Sequence, residues 1–188
     1  MPAAKVIALE EKKQAVAIRG KDKTKTETDN IYSTALFYYF KENYKKALPF
    51  FKKHLHSYPD SAKAWIYAGV CYGKSSRYQE EIEAYKQAIR LKPDDANAHF
   101  GLGTTYFKLG SYQEAIQALK HAIRLKPDDA EAHYNLGLTY LLINDSGSAL
   151  EEYKILKILM QKGQTNYLIS PISRVKNILS KLYCFEYA

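Results

Sequence analysis

The chain has 188 residues, with 28 Lys and Arg against 20 Asp and Glu, a net charge of +8 and 46% hydrophobic residues. Its length suits one domain with a continuous apolar core. No apolar run approaches the roughly 20 residues that cross a bilayer, and two cysteines in different settings, Cys71 and Cys184, argue against a disulfide framework.

Residues 1–27 carry seven basic and four acidic groups. Residues 4–19 are compatible with a short helix, and the charged stretch 19–28 has no apolar period, as expected of a mobile linker. The first residues lack the uninterrupted apolar stretch of a secretory signal. The cytoplasm is therefore the favoured compartment, with the periplasm left open.

From residue 28 onward the chain repeats itself. Gly103, Tyr106, Tyr112, Ala122 and Pro127 fall on Gly69, Tyr72, Tyr78, Ala88 and Pro93 after a shift of 34 residues. Leu102, Gly103, Tyr106 and Ala115 fall on Leu136, Gly137, Tyr140 and Ala149 after the same shift forward. A weaker copy begins the series with Ala35, Tyr38, Tyr44, Ala47, Phe51 and Pro59. Four copies run without gaps over 28–61, 62–95, 96–129 and 130–163, the signature of stacked supersecondary units. Projected further back, Lys13 and Lys25 replace the small residue and the proline, so no fifth copy is expected.

Each copy reads as two helices. In the third, His99, Leu102, Gly103 and Tyr106 form one helical stripe, and Ala115, Leu119 and Ala122 answer from the second helix. The small residue at Ala35, Gly69, Gly103 and Gly137 lets the partner helix approach. Between the helices, Gly110 and Asn144 suit a left-handed turn, while Glu42 and Ser76 at the same slot suit it less. Pro59, Pro93 and Pro127 stop the second helix and an aspartate region caps the next, with Asp128 and Glu131 at capping-box spacing. Pro49 suggests a late start or a kink in the second helix of the first copy.

The fourth copy departs at its end, where Leu156 replaces the small residue and Gln161 the proline. Residues 164–188 then offer a Ser170-Pro171 helix start, with Ile172, Val175, Ile178, Leu179 and Leu182 on one stripe. This is expected to be an amphipathic helix that caps the array.

The order Trp65, Ala68, Gly69, Tyr72, Ile82, Tyr85, Ala88, Pro93 resembles the tetratricopeptide repeat (TPR). The resemblance covers 136 of the 188 residues. It implies an all-α, right-handed α-solenoid of four helix-turn-helix repeats with a concave face, closed by the C-terminal helix. It also implies which residues of each first helix face inward. Repeat one offers Tyr32, Leu36 and Tyr39; repeat two offers Lys63, Ile66, Tyr67, Val70 and Lys74. Repeat three offers Asn97, Phe100, Thr104, Phe107 and Lys108; repeat four offers Tyr134, Asn135, Leu138 and Leu141. Gly101 also falls on this wall by the same rule. Family members that hold chaperone C-termini use Lys, Asn and Arg at set wall positions, and those residues are absent here.

No catalytic, metal-binding or cofactor-binding constellation is found. His99 and His133 share the slot of Trp65 and read as packing residues, and no HisGluXaaXaaHis, CysXaaXaaCys or phosphate-binding glycine loop occurs. The repeat lysines alternate with acids, so nucleic acid is not an expected partner. The expectation is a non-enzymatic adaptor that binds a hydrophobic or amphipathic protein segment in an aromatic groove. The alternatives are a self-assembling scaffold, joined through its ends or C-terminal helix, and a chaperone for secretion or pilus subunits.

Overall fold

The computed structural model describes residues 26–161, which contain eight α-helices and no strand. The expected helices over 4–19 and after Ser170 lie outside the described residues. In chain order the helices are α1 (Thr26–Phe40), α2 (Tyr44–Ser57), α3 (Ala62–Gly73), α4 (Tyr78–Leu91), α5 (Ala96–Lys108), α6 (Tyr112–Leu125), α7 (Ala130–Leu142) and α8 (Ser146–Gln161). The starts of α3, α5 and α7 are spaced by the 34-residue period, as are those of α2, α4, α6 and α8. Helix α1 begins at Thr26, so the last three residues of the expected linker are helical.

The helices form two compact units that divide between Gly101 and Leu102, inside α5. In the first unit α1 packs on α2, α2 on α3 and α3 on α4; in the second, α6 packs on α7 and α7 on α8. Successive hairpins thus share their apolar faces, which is how short amphipathic helices become stable in an array. The first unit's core gathers Ala35, Leu36, Ala47, Leu48, Phe51, Leu55, Ala64, Ala68 and Cys71. In the second unit Leu156 is buried beside Ala130 and Leu159. The large residue at the end of the fourth repeat therefore serves as core.

Small residues set the helix spacing. A Cβ added at Gly69 would stand 3.0 Å from the Tyr85 ring, and one at Gly101 would overlap the same ring. Tyr85 of α4 is buried and lies against α3 and α5 at points where neither carries a side chain. Gly101 is accordingly a helix-packing position, not the wall position expected of it.

The turns between helices close by one recurring bond. The amides of Asn43, Arg77, Ser111 and Asp145 donate to the carbonyls of Tyr38, Tyr72, Tyr106 and Tyr140 at 2.9–3.0 Å. The residue before each donor, Glu42, Ser76, Gly110 or Asn144, is left-handed, with φ of 56°, 57°, 76° and 60°. This is the helix-ending arrangement that satisfies orphan carbonyls.

Two local expectations change. Pro49 lies inside α2, which begins at Tyr44 with its Asn43 side chain accepting from the Lys46 amide, so this helix does not start late. The cap of α7 is Asp129, whose carboxylate accepts from the amides of Glu131 and Ala132; with alanine three residues on, this is a simple cap one residue later than expected and not the capping box.

Candidate interaction surface

Three aromatic side chains of α1 and α3 are built around Phe51 of α2. Phe51 is fully buried, so whatever touches it is held in place. Tyr67 stacks on it with centroids 5.5 Å apart and planes 13° from parallel. Tyr39 meets Phe51 edge-on at 6.2 Å and Tyr67 at 4.8 Å. Tyr32 approaches Phe51 edge-on at 6.0 Å and tilts over His54 at 4.6 Å. Such offset and edge geometries are the favoured ones for aromatic pairs. Tyr32, Tyr39 and Tyr67 are each half-buried: one side packs on the core and the rest reaches the surface.

The other expected wall residues divide by exposure. In the first unit Lys63, Lys74 and Asn97 are exposed, while Ile66, Val70 and Phe100 are half-buried. In the second unit Lys108 is exposed; Thr104, Phe107, Tyr134, Asn135, Leu138 and Leu141 are half-buried. Phe107 turns toward Tyr112 of the next helix, with centroids 6.3 Å apart. Leu36 is the correction. Only 6% of it is exposed and it belongs to the Phe51 core, so it lines no surface. Phe51 itself was not among the expected surface residues, although it is what orders three of them.

A second feature escaped the sequence reading. Trp65, His99 and His133 each place a ring nitrogen on the carbonyl of the proline six residues earlier. Trp65 Nε1 donates to Pro59 at 2.8 Å, His99 Nε2 bonds to Pro93 at 2.8 Å and His133 Nε2 to Pro127 at 2.9 Å. Each bond ties the start of a first helix to the end of the preceding second helix. The fixed spacing from Pro to a ring that carries N–H was the available signal.

His133 makes a further bond. Its Nδ1 lies 2.6 Å from the Glu152 carboxylate of α8. Both ring nitrogens therefore face acceptors, an arrangement that only the doubly protonated ring satisfies. Burial pushes the His133 pKa down, but the Glu152 carboxylate and the Pro127 carbonyl outweigh it, and the net direction is up.

Among the described residues no group of three or more His, Cys, Asp or Glu could hold a metal ion. Cys71 is buried and its thiol is pushed up to about 12 by that burial, which leaves it unreactive. No described helix is long and apolar enough to cross a membrane.

A family model described as TPR repeat matches residues 71–110 and 103–143. Those segments hold the tyrosine-closed turns and the ring-to-proline bonds of the middle repeats. The chain carries TPR repeats over residues 71–143. Its fold is the all-α TPR solenoid, and solved TPR structures resemble it over most of their length. A crystal structure of MamA protein shares 24% identity with a TM-score of 0.68, covering 83% of this chain and 87% of that one. MamA 41-end from Desulfovibrio magneticus RS-1 shares 22% identity with a TM-score of 0.69, covering 72% and 77%. YrrB, described as a TPR protein with an unusual peptide-binding site, shares 22% identity with a TM-score of 0.70, covering 82% and 76%. A comparison with curated proteins finds no match. At these identities the likeness is one of fold.

Proposed function

We propose that this TPR protein is a non-enzymatic interaction module that takes a hydrophobic or amphipathic protein segment on the aromatic face of its first helices. The observation that carries the proposal is the Tyr39–Tyr67 pair, seated on Phe51 and half-buried. A ligand that meets rings already fixed by the core loses little side-chain entropy in ordering them. Large rings in a rigid setting are the usual source of binding energy in protein interfaces. Ile66, Val70 and Phe100 supply further half-buried apolar surface in the same unit, and exposed Lys63 and Lys74 flank it. The peptide-binding site of YrrB supports the class of partner, not its identity.

Tyr67 is a poor probe of this surface, because truncating a ring stacked on Phe51 also opens the core. Ile66→Ser with Phe100→Ala is the better pair. Peptides selected from a random display library against the immobilised protein should be rich in aliphatic and aromatic residues. Their affinity should fall at least about tenfold, a loss of about 1.4 kcal/mol, on the double variant. Circular dichroism should report unchanged helix content. Equal affinity for both proteins would remove this face as the binding site.

A further inference from the structure

The turn that joins α1 to α2 opens on a cavity of about 610 Å³, lined by Lys41, Glu42, Tyr44, Lys45, Lys74 and Ser75 among others. Its charge is unbalanced: three ammonium groups stand against one carboxylate. Four lysines elsewhere pair with an acid at the (i, i+3) spacing: Lys86–Glu83, Lys92–Asp95, Lys126–Asp129 and Lys154–Glu151. None of the three cavity lysines forms such a pair with a carboxylate among the described residues. Lys74 rests 5.6 Å above the Tyr44 ring instead, and Lys41 stands 5.9 Å from the Phe37 ring. Those contacts place two of the charges without neutralising them.

The backbone adds to the imbalance. The cavity contains the start of α2, where the helix dipole is positive. Helices α4 and α6 place Glu80, Glu81 and Glu114 in that first turn. Helix α2 has no acid there and carries Lys45 and Lys46. The Ser75 hydroxyl is engaged with its own helix, donating to the Cys71 carbonyl at 2.9 Å.

We infer that this cavity binds the carboxylate side chains of an acidic peptide segment. Lysine ammonium groups are compact point charges that pair with carboxylate and phosphate alike, so the choice between them falls to competition with inorganic phosphate. Glu42 in the lining disfavours a stiff polyanion such as nucleic acid, whereas a short flexible acidic peptide can turn its side chains away from that carboxylate. Lys74 caps the end of α3, four residues after Val70. The acidic stretch would then flank the hydrophobic segment proposed for the aromatic face, and in that respect the inference rests on that reading.

Fluorescently labelled hexaglutamate, with hexaglutamine as control, tests the cavity by anisotropy on the full chain. Hexaglutamate should bind and hexaglutamine should not. Lys41→Gln/Lys45→Gln/Lys74→Gln should weaken hexaglutamate binding at least tenfold. A charge-matched variant, Lys86→Gln/Lys92→Gln/Lys126→Gln, should weaken it less than twofold. Equal loss in both triple variants would reduce the effect to net charge and overturn the inference, as would unchanged binding to the cavity variant or none to the wild type. Inorganic phosphate that displaces hexaglutamate at equimolar concentration would assign the cavity to a small anion and overturn the peptide class. The Ile66→Ser/Phe100→Ala variant separates the two sites. If it keeps both hexaglutamate and the selected apolar peptides, the aromatic face fails while the cavity stands. If it loses the apolar peptides while the cavity variant keeps hexaglutamate, the cavity fails alone.

Discussion

His133 is the residue on which the second unit's stability should depend most visibly on pH. Its Nε2–H donates to the Pro127 carbonyl and its Nδ1–H to Glu152, and Asp129 adds a further negative charge nearby. The pKa is raised above the ordinary imidazole value of about 6.5, so the folded protein binds this proton more tightly than the unfolded chain does. Its contribution is complete below about pH 6.5 and is lost as the pH rises through the elevated folded value. Urea unfolding should therefore show a lower midpoint for the second unit at pH 8.5 than at pH 6. Glu152→Gln removes the carboxylate that holds the second proton, so the difference between the two pH values should shrink in that variant. An undiminished difference would place the dependence on another group. His99 makes the matching Nε2 bond to the Pro93 carbonyl. The sequence placed both histidines in the Trp65 slot and so read them as packing residues. It could not show the bond to Glu152, because the two residues lie on different helices and only the packing of α7 against α8 brings them together. The misplacing of Leu36 has a similar cause. A helix-face rule gives the direction of a side chain, but whether it ends on a surface depends on the bulk opposite, here Phe51 and Leu48.

At the scale of the helix hairpin, one backbone state recurs in all four repeats while the residue that adopts it changes. Glu42, Ser76, Gly110 and Asn144 occupy the same left-handed slot. The sequence made Gly110 and Asn144 natural occupants and the other two poor ones, yet Glu42 and Ser76 take the same φ. Helix packing on both sides and the bond to the tyrosine carbonyl hold them there. An L-residue in this region costs roughly 1–2 kcal/mol relative to glycine. Gly110 has no neighbouring atom within 4 Å of an added Cβ, so Gly110→Ala measures backbone strain alone. It should destabilise the protein by about 1 kcal/mol. Ser76→Gly should relieve the corresponding strain, offset in part by the greater freedom of glycine in the unfolded chain, and gain up to about 1 kcal/mol. Denaturant midpoints of both variants check the pair. A loss of stability in Ser76→Gly would mean that the serine is held by contacts that outweigh its backbone conformation.

Over the whole chain, the period of the sequence revealed the architecture more readily than any single motif. The match to the TPR-repeat model covers the middle repeats, whereas the weaker first copy was legible through Ala35, Tyr38, Ala47 and Phe51 in the same register. The same view of the molecule separates an adaptor from a self-assembling scaffold. Phe37, Leu142 and Ile158 are more than half exposed, at 56%, 52% and 51%. They belong to α1, α7 and α8, and single exposed apolar residues are ordinary on a monomer. A net charge of +8 further opposes self-association at low ionic strength. Charge repulsion can hide a weak apolar contact, so the informative condition is high salt, where the Debye length falls to a few ångströms. Sedimentation velocity in 0.5 M salt should give one coefficient, that of a monomer, across a wide range of protein concentration. A faster species that grows with concentration and disappears in Phe37→Ser would show that an exposed helix face joins copies of the chain. The apolar surface would then be serving assembly, and the adaptor reading would lose its premise of a free protein waiting for a partner.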